Sequence, residues 1–137
     1  MKRIEILLNE SDFSLLNERY PKQGKSSVIG QHAESILKIY FKKERPRCTF
    51  ETTKSGSDLK IVCNSKSFEI EIKGTAARNI AWNKLKVSSQ KSHDRIVKGL
   101  PVYRVTDVFS KQPVLYILEY GIDFKLDKEP RWSFKKL

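Results

Sequence analysis

Cysteine, histidine, glycine and acidic residues are all scarce in this chain, and each shortage removes a class of function. The two cysteines, Cys48 and Cys63, and the two histidines, His32 and His93, share no metal-ligand spacing, so no zinc site is expected. Each cysteine reads as a buried thiol, and Cys63 sits at the end of an apolar strand where a small hydrophobe fits. The six glycines form no phosphate-binding loop, and Gly56 and Gly74 read as single turn residues. No apolar run approaches the roughly 18 residues a membrane span needs. The start, Met1-Lys2-Arg3-Ile4-Glu5, meets an acid at once and lacks a small-residue cleavage site, so a cytoplasmic protein is expected. No repeat and no low-complexity tract occurs. Acids number 16 against 27 Lys and Arg, a net charge of +11. That balance favours polyanions: DNA, RNA or an anionic membrane.

What is present amounts to one domain of 137 residues, 39% hydrophobic and 31% charged, with its core at roughly residues 28–120 behind an N-terminal extension of 1–27. Residues 1–8 alternate as a strand would, although Leu7 blurs the pattern. Ser11 or Asp12 can cap a short helix to about Tyr20. Ser27 opens a helix from Val28 to about Phe41, with Ile29, His32, Ala33, Ile36, Leu37 and Tyr40 on one face. His32 is expected to pack against the core. A strand follows at 48–52.

Next come two strands, Leu59 to Cys63 and Phe68 to Lys73, joined by a polar turn. Side chains alternate along a strand, so Glu71 and Lys73 share one face while Ile70 and Ile72 take the other. Asp58 stands at the mouth of the first strand, where pairing can bring it to Glu71. Two converging carboxylates offer hard oxygens suited to Mg²⁺ or Mn²⁺, with the Ile72 carbonyl as an extra ligand. A nearby lysine can position a water or neutralise charge on a phosphate. The bland alternative is an exposed hairpin whose charges face water.

Asp58, twelve residues, then Glu71-Ile72-Lys73 resembles the PD-(D/E)xK nuclease superfamily, with Ser57 where that pattern usually has Pro. Within it, Ile70-Glu71-Ile72-Lys73-Gly74-Thr75 and the Ser-Gln helix start are similar to the C-terminal domain of NO VEIN-type proteins. They are also similar to small restriction endonucleases and junction resolvases. The resemblance spans about residues 28–109. It implies a central mixed sheet flanked by helices, with the metal site at one sheet edge. It also implies catalytic roles for Asp58, Glu71 and Lys73, and a metal-reaching acid on the first core helix. Glu34, in Gly30-Gln31-His32-Ala33-Glu34, matches that acid. Gln90, heading the helix capped by Ser88-Ser89, would orient the site.

Between Thr75 and Lys111 stand eight basic residues and two acids. Residues 75–87 read as a loop. Arg78, Asn79, Trp82, Lys84 and Lys86 there, and Lys91 and Arg95 on the following helix, suit DNA: cations for phosphate, amides for base edges, an indole for stacking. Trp82 plugging the core edge is the alternative. Ile96 and Val97 are expected to face inward. A hairpin of 102–109 and 114–120 would extend the sheet, and 122–137 would add a last strand or clasp. These readings point to a Mg²⁺-dependent DNA endonuclease of restriction or mobile-element type, working as a homodimer without any membrane role. A Holliday-junction resolvase and a non-catalytic nucleic-acid-binding module are the alternatives.

Overall fold

The computed structural model describes residues 1–53, 56–129 and 131–137. In chain order they form β1 (Lys2–Glu5), α1 (Glu10–Arg19), α2 (Ser26–Glu44), β2 (Thr49–Glu51), β3 (Leu59–Cys63) and β4 (Lys66–Gly74). A 3₁₀ turn (Trp82–Lys84) leads to β5 (Lys86–Val87), α3 (Gln90–Val97), β6 (Val102–Thr106), β7 (Val114–Leu118), β8 (Phe124–Glu129) and β9 (Arg131–Lys136). Two sheets result. One has six strands in the order β1-β7-β6-β4-β3-β2, and the other three in the order β5-β9-β8. The large sheet is mixed, because β4 and β6 run parallel while its other neighbours are antiparallel. Among the described residues no helix is long and apolar enough to cross a membrane.

The large sheet is covered on both faces, as two-sided burial of its apolar strands demands. On one face the stripe Ala33, Ile36, Leu37 and Phe41 of α2 packs on Leu59, Ile61, Ile70, Tyr103, Val105 and Leu115. His32 is buried here, its ring nitrogens against the carbonyls of Tyr20 and Val108 at 2.6 and 3.3 Å. On the other face Ile96 of α3, Leu85 after the 3₁₀ turn, and Val87, Phe124 and Phe134 of the small sheet pack on Val102 and Leu118. Residues 1–20 are part of this body, since β1 pairs with β7 and Ile6, Leu8 and Leu16 enter the first core.

Several expectations need correction. Asn9 caps α1, its Oδ1 accepting from Asp12 N at 2.7 Å, because a cap must precede the first turn and both Ser11 and Asp12 lie inside it. Strand β6 ends at Thr106 because Asp107 turns left-handed at φ 53°. The supposed clasp is a full hairpin. It recruits β5 from the stretch expected to be loop, and Val87 pairs with Trp132. Val97 is 39% exposed, since α3 turns only one narrow stripe inward.

The two cysteines are joined in a disulfide, which overturns the reading of two thiols. The pairing of Thr49 with Val62 brings the preceding and following residues, Cys48 and Cys63, opposite one another with Cα atoms 4.2 Å apart. The bond closes a loop over a separation of 15 residues, worth about 3 kcal/mol through the unfolded state. Reduction, or the double substitution Cys48→Ala/Cys63→Ala, is therefore expected to lower stability by about that amount. Urea melts with and without reductant check this.

Candidate active site

The site forms at a step inside the large sheet. Strand β3 begins pairing at Leu59, opposite Ile70, so the last four residues of β4 pair with β6 alone. The expected position at a sheet edge is therefore corrected. Strand β4 is an inner strand, and its flank opens only because β3 starts late. Asp58 spans the gap. Its backbone N–H donates to Ile70 O at 3.0 Å, and its Oδ2 accepts from Ile72 N at 2.7 Å. Asp58 and Leu59 thus both oppose Ile70, a local bulge that sets the Asp58 carboxylate beside Glu71. The N–H and C=O of a strand residue point to the same side, so the Ile72 carbonyl also faces the open step.

Glu71 and Lys73 project from the face opposite Ile70 and Ile72, as the alternation predicts. Lys73 Nζ lies 3.4 Å from Glu71 Oε2. Glu71 is only 3% exposed, and its Oε1 is buried without a hydrogen-bond partner. Burial, and then the neighbouring Asp58 carboxylate, push the Glu71 carboxyl up to about 7, against the opposing pull of Lys73. Asp58 itself is exposed. One acid is thus open to solvent and the other is sunk beside it, with an unsatisfied oxygen.

Helix α2 closes the other side. A Cβ on Gly74 would lie 2.8 Å from Ala33 Cβ and 3.0 Å from Ile29 O, so the glycine lets the helix seat directly on β4. That seat places Glu34 with Asp58 and Ile72 around a cleft of about 290 Å³, also lined by Ser27, Gly30 and Gln31. Gly74→Ala is expected to cost about 1–3 kcal/mol as the contact overpacks. It should also weaken any function that needs Glu34 beside Asp58. A lower thermal midpoint, together with reduced activity at temperatures where the variant stays folded, is the check.

A polar chain that the sequence reading passed over braces the turn before Asp58. Ser57 Oγ donates to Glu69 Oε1 at 2.7 Å, and Arg95 Nη2 donates to Glu69 Oε2 at 3.0 Å. Ser92 Oγ of α3 donates to the carbonyl of Gly56 at 3.0 Å. The signal was present, since Glu69, Glu71 and Lys73 alternate onto one face. Gln90 is not brought to the carboxylates. It is exposed on α3, and its amide donates to Asp94 Oδ1 at 2.7 Å.

The basic residues separate into two groups. Arg78, Lys84 and Lys91 are exposed, as is Asn79, while Lys86 is half-buried in β5. Arg95 is held in its ion pair with Glu69, and Lys111 pairs with Glu10. Arg104, counted among the cations for a polyanion, is 2% exposed and cannot reach a phosphate. Its guanidinium instead donates to three carbonyls: Ile80 at 2.8 Å, Gly74 at 2.9 Å and Ala81 at 3.4 Å. Trp82 is half-buried against the second core, and it also lines a cleft.

Among the described residues no group of three or more His, Cys, Asp or Glu stands together as a ready metal cluster. The donors at the step are two carboxylates, one with an orphaned buried oxygen, and a backbone carbonyl. That set fits a hard cation such as Mg²⁺, which takes one or two carboxylates and keeps several waters. Comparisons with protein-family models, with curated proteins and with solved structures find no match.

Proposed function

We propose that this chain is a divalent-metal-dependent nuclease that hydrolyses phosphodiester bonds in DNA, built on a restriction-endonuclease-like core of the PD-(D/E)xK type. The observation that carries the reading is the Glu71 carboxylate, buried with an unsatisfied oxygen, facing Asp58 and 3.4 Å from Lys73. A buried carboxylate oxygen without a partner costs about 1–3 kcal/mol or more, and a cation is the partner that would offset it.

Asp58, Glu71 and the Ile72 carbonyl would hold Mg²⁺ or Mn²⁺, with Glu34 reaching the same ion or a second one across the cleft. When bound, the metal lowers the pKa of a coordinated water and stabilises charge on the phosphate in the transition state. Lys73 orients that water and shares the developing negative charge. Glu71 must lose its proton before it can ligate. The exposed cations Arg78, Lys84 and Lys91 hold the backbone, in keeping with the net charge of +11. One active site cuts one strand, so a double-strand cut calls for a second copy related by two-fold symmetry.

Plasmid nicking across divalent ions tests the reading. Nicking with Mg²⁺ or Mn²⁺ and none in EDTA is expected. Cutting at fixed sites marks a restriction-type enzyme, and cutting confined to four-way junctions marks a resolvase. DNA binding without cutting in any metal overturns the enzyme and leaves a binding module.

A further inference from the structure

A second cleft, of about 540 Å³, is lined by Asn79, Ile80, Ala81, Trp82, Asn83 and Tyr116. We propose that this cleft is a base-stacking subsite, which takes an unpaired nucleobase of the strand whose backbone lies at the Asp58–Glu71–Lys73 step. The inference rests on the nucleic-acid reading above and adds to it where the strand's base is held.

The lining has the chemistry of a base site. Trp82 and Tyr116 offer aromatic faces, and every base has a π-face to stack on them. Asn83 carries an amide that can donate to and accept from a base edge, and Asn79, whose Oδ1 accepts from Ala81 N, keeps its NH₂ as a donor. Arg78 and Lys84 flank the segment as exposed cations for phosphate.

The backbone there is held in a form it would not adopt freely. Ala81 is left-handed, at φ 52° and ψ 58°, which costs a non-glycine residue about 1–2 kcal/mol. Two devices hold it. Asn79 Oδ1 accepts from Ala81 N at 2.9 Å, and buried Arg104 binds the Ile80 and Ala81 carbonyls. Strain fixed by so many bonds is a mark of a preorganised site.

Register ties this cleft to the catalytic step. Lys73 pairs with Arg104, Arg104 with Tyr116, and Tyr116 with Arg3. Paired residues share a face, so Lys73 and Tyr116 project from one face, two strands apart. That is about 10 Å at the usual strand spacing. Arg104 also binds the carbonyl of Gly74, the residue after Lys73, so one guanidinium braces both places. A single strand can therefore present a phosphate to Lys73 and a base to Trp82.

The test compares, at about 100 mM salt, binding of a short single-stranded oligothymidylate and of an abasic strand of equal length. Metal is omitted so that nothing is cut. The base-bearing strand is expected to bind about tenfold tighter, within the range of roughly 5- to 150-fold that one base–aromatic stack supplies. It should also quench tryptophan fluorescence where the abasic strand does not. Trp82→Leu should erase the difference, Trp82→Phe should keep part of it, and Leu15→Ala, on the exposed face of α1, should leave it unchanged. If Trp82→Leu fails to fold, the quenching of the unaltered protein and the Phe variant decide. Equal affinity for both strands overturns the subsite, and plasmid nicking then judges the nuclease independently. Saturation by a mononucleotide at the strand's own concentration overturns the strand assignment in favour of a free nucleotide.

Discussion

Lys73→Ala and Asp58→Ala are each expected to lower metal-dependent DNA cutting by about 10²–10⁴-fold, while DNA affinity without metal changes little. Lys73 sits half-buried against Glu71, so its removal takes away the positive charge that the proposed mechanism sets beside the phosphate. Asp58 spans the step, and its loss also frees the Ile72 N–H it accepts. Glu71→Gln separates activity from stability. The Glu71 carboxyl lies at about 7 against an ordinary 4.5, so the folded chain holds that proton more tightly than the unfolded chain. The raised pKa therefore adds no ionisation cost below the unfolded value. The cost grows as pH rises and is full above about 7, where it reaches at most about 3 kcal/mol. Glu71→Gln should thus raise stability at pH values above that point and abolish cutting there. Wild-type cutting and divalent-ion affinity should both rise as pH passes about 7, since a ligand must be deprotonated. Urea melts and nicking rates measured across pH, with and without Mg²⁺, read these effects. A Glu71→Gln protein that cuts normally would remove the metal site from consideration.

Arg104→Met is expected to destabilise the chain by about 3–5 kcal/mol, the cost of dismantling a buried hydrogen-bonded charge. Methionine fills much of the volume but leaves the carbonyls of Gly74, Ile80 and Ala81 without their donor. Burial pushes the guanidinium down to about 10, which leaves it charged at neutral pH. Arg104→Lys should recover only part of the loss, because an ammonium lacks the planar fork that spans three acceptors. Denaturant melts measure the loss, and faster amide exchange across residues 74–81 locates it. A residue that merely touched phosphate would behave otherwise. Its removal would leave the melt in place and reduce the salt dependence of DNA binding by about one charge.

Local order was legible wherever the pattern repeats over a few residues. The face shared by Glu71 and Lys73 follows from two-residue alternation, and the approach of Asp58 follows from the pairing of the two strands, although its bond to Ile70 departs from their regular register. Helix α2 was visible because its apolar residues, Val28 to Phe41, recur at helical spacing over about four turns. Glu34 is found with Asp58 and Ile72 around one cleft, although the resemblance and not the spacing singled it out. Gln90 heads α3 as expected, and its amide runs along the helix to Asp94, a local bond that the resemblance did not anticipate.

What stayed hidden depends on partners far apart in the chain. The disulfide needs the β2–β3 register, and two cysteines alone carry no sign of it. Arg104 looks like any surface cation until β4, β7 and the 80–81 backbone close around it. Strand β5 is two residues long and becomes a strand only by finding β9, more than forty positions onward. The residues alone thus specify charge, local periodicity and the pairing of the two carboxylates, because these rest on neighbours. Which cation is buried, which cysteines meet and where the second cleft opens follow from long-range packing, because burial and register are properties of the assembled sheet.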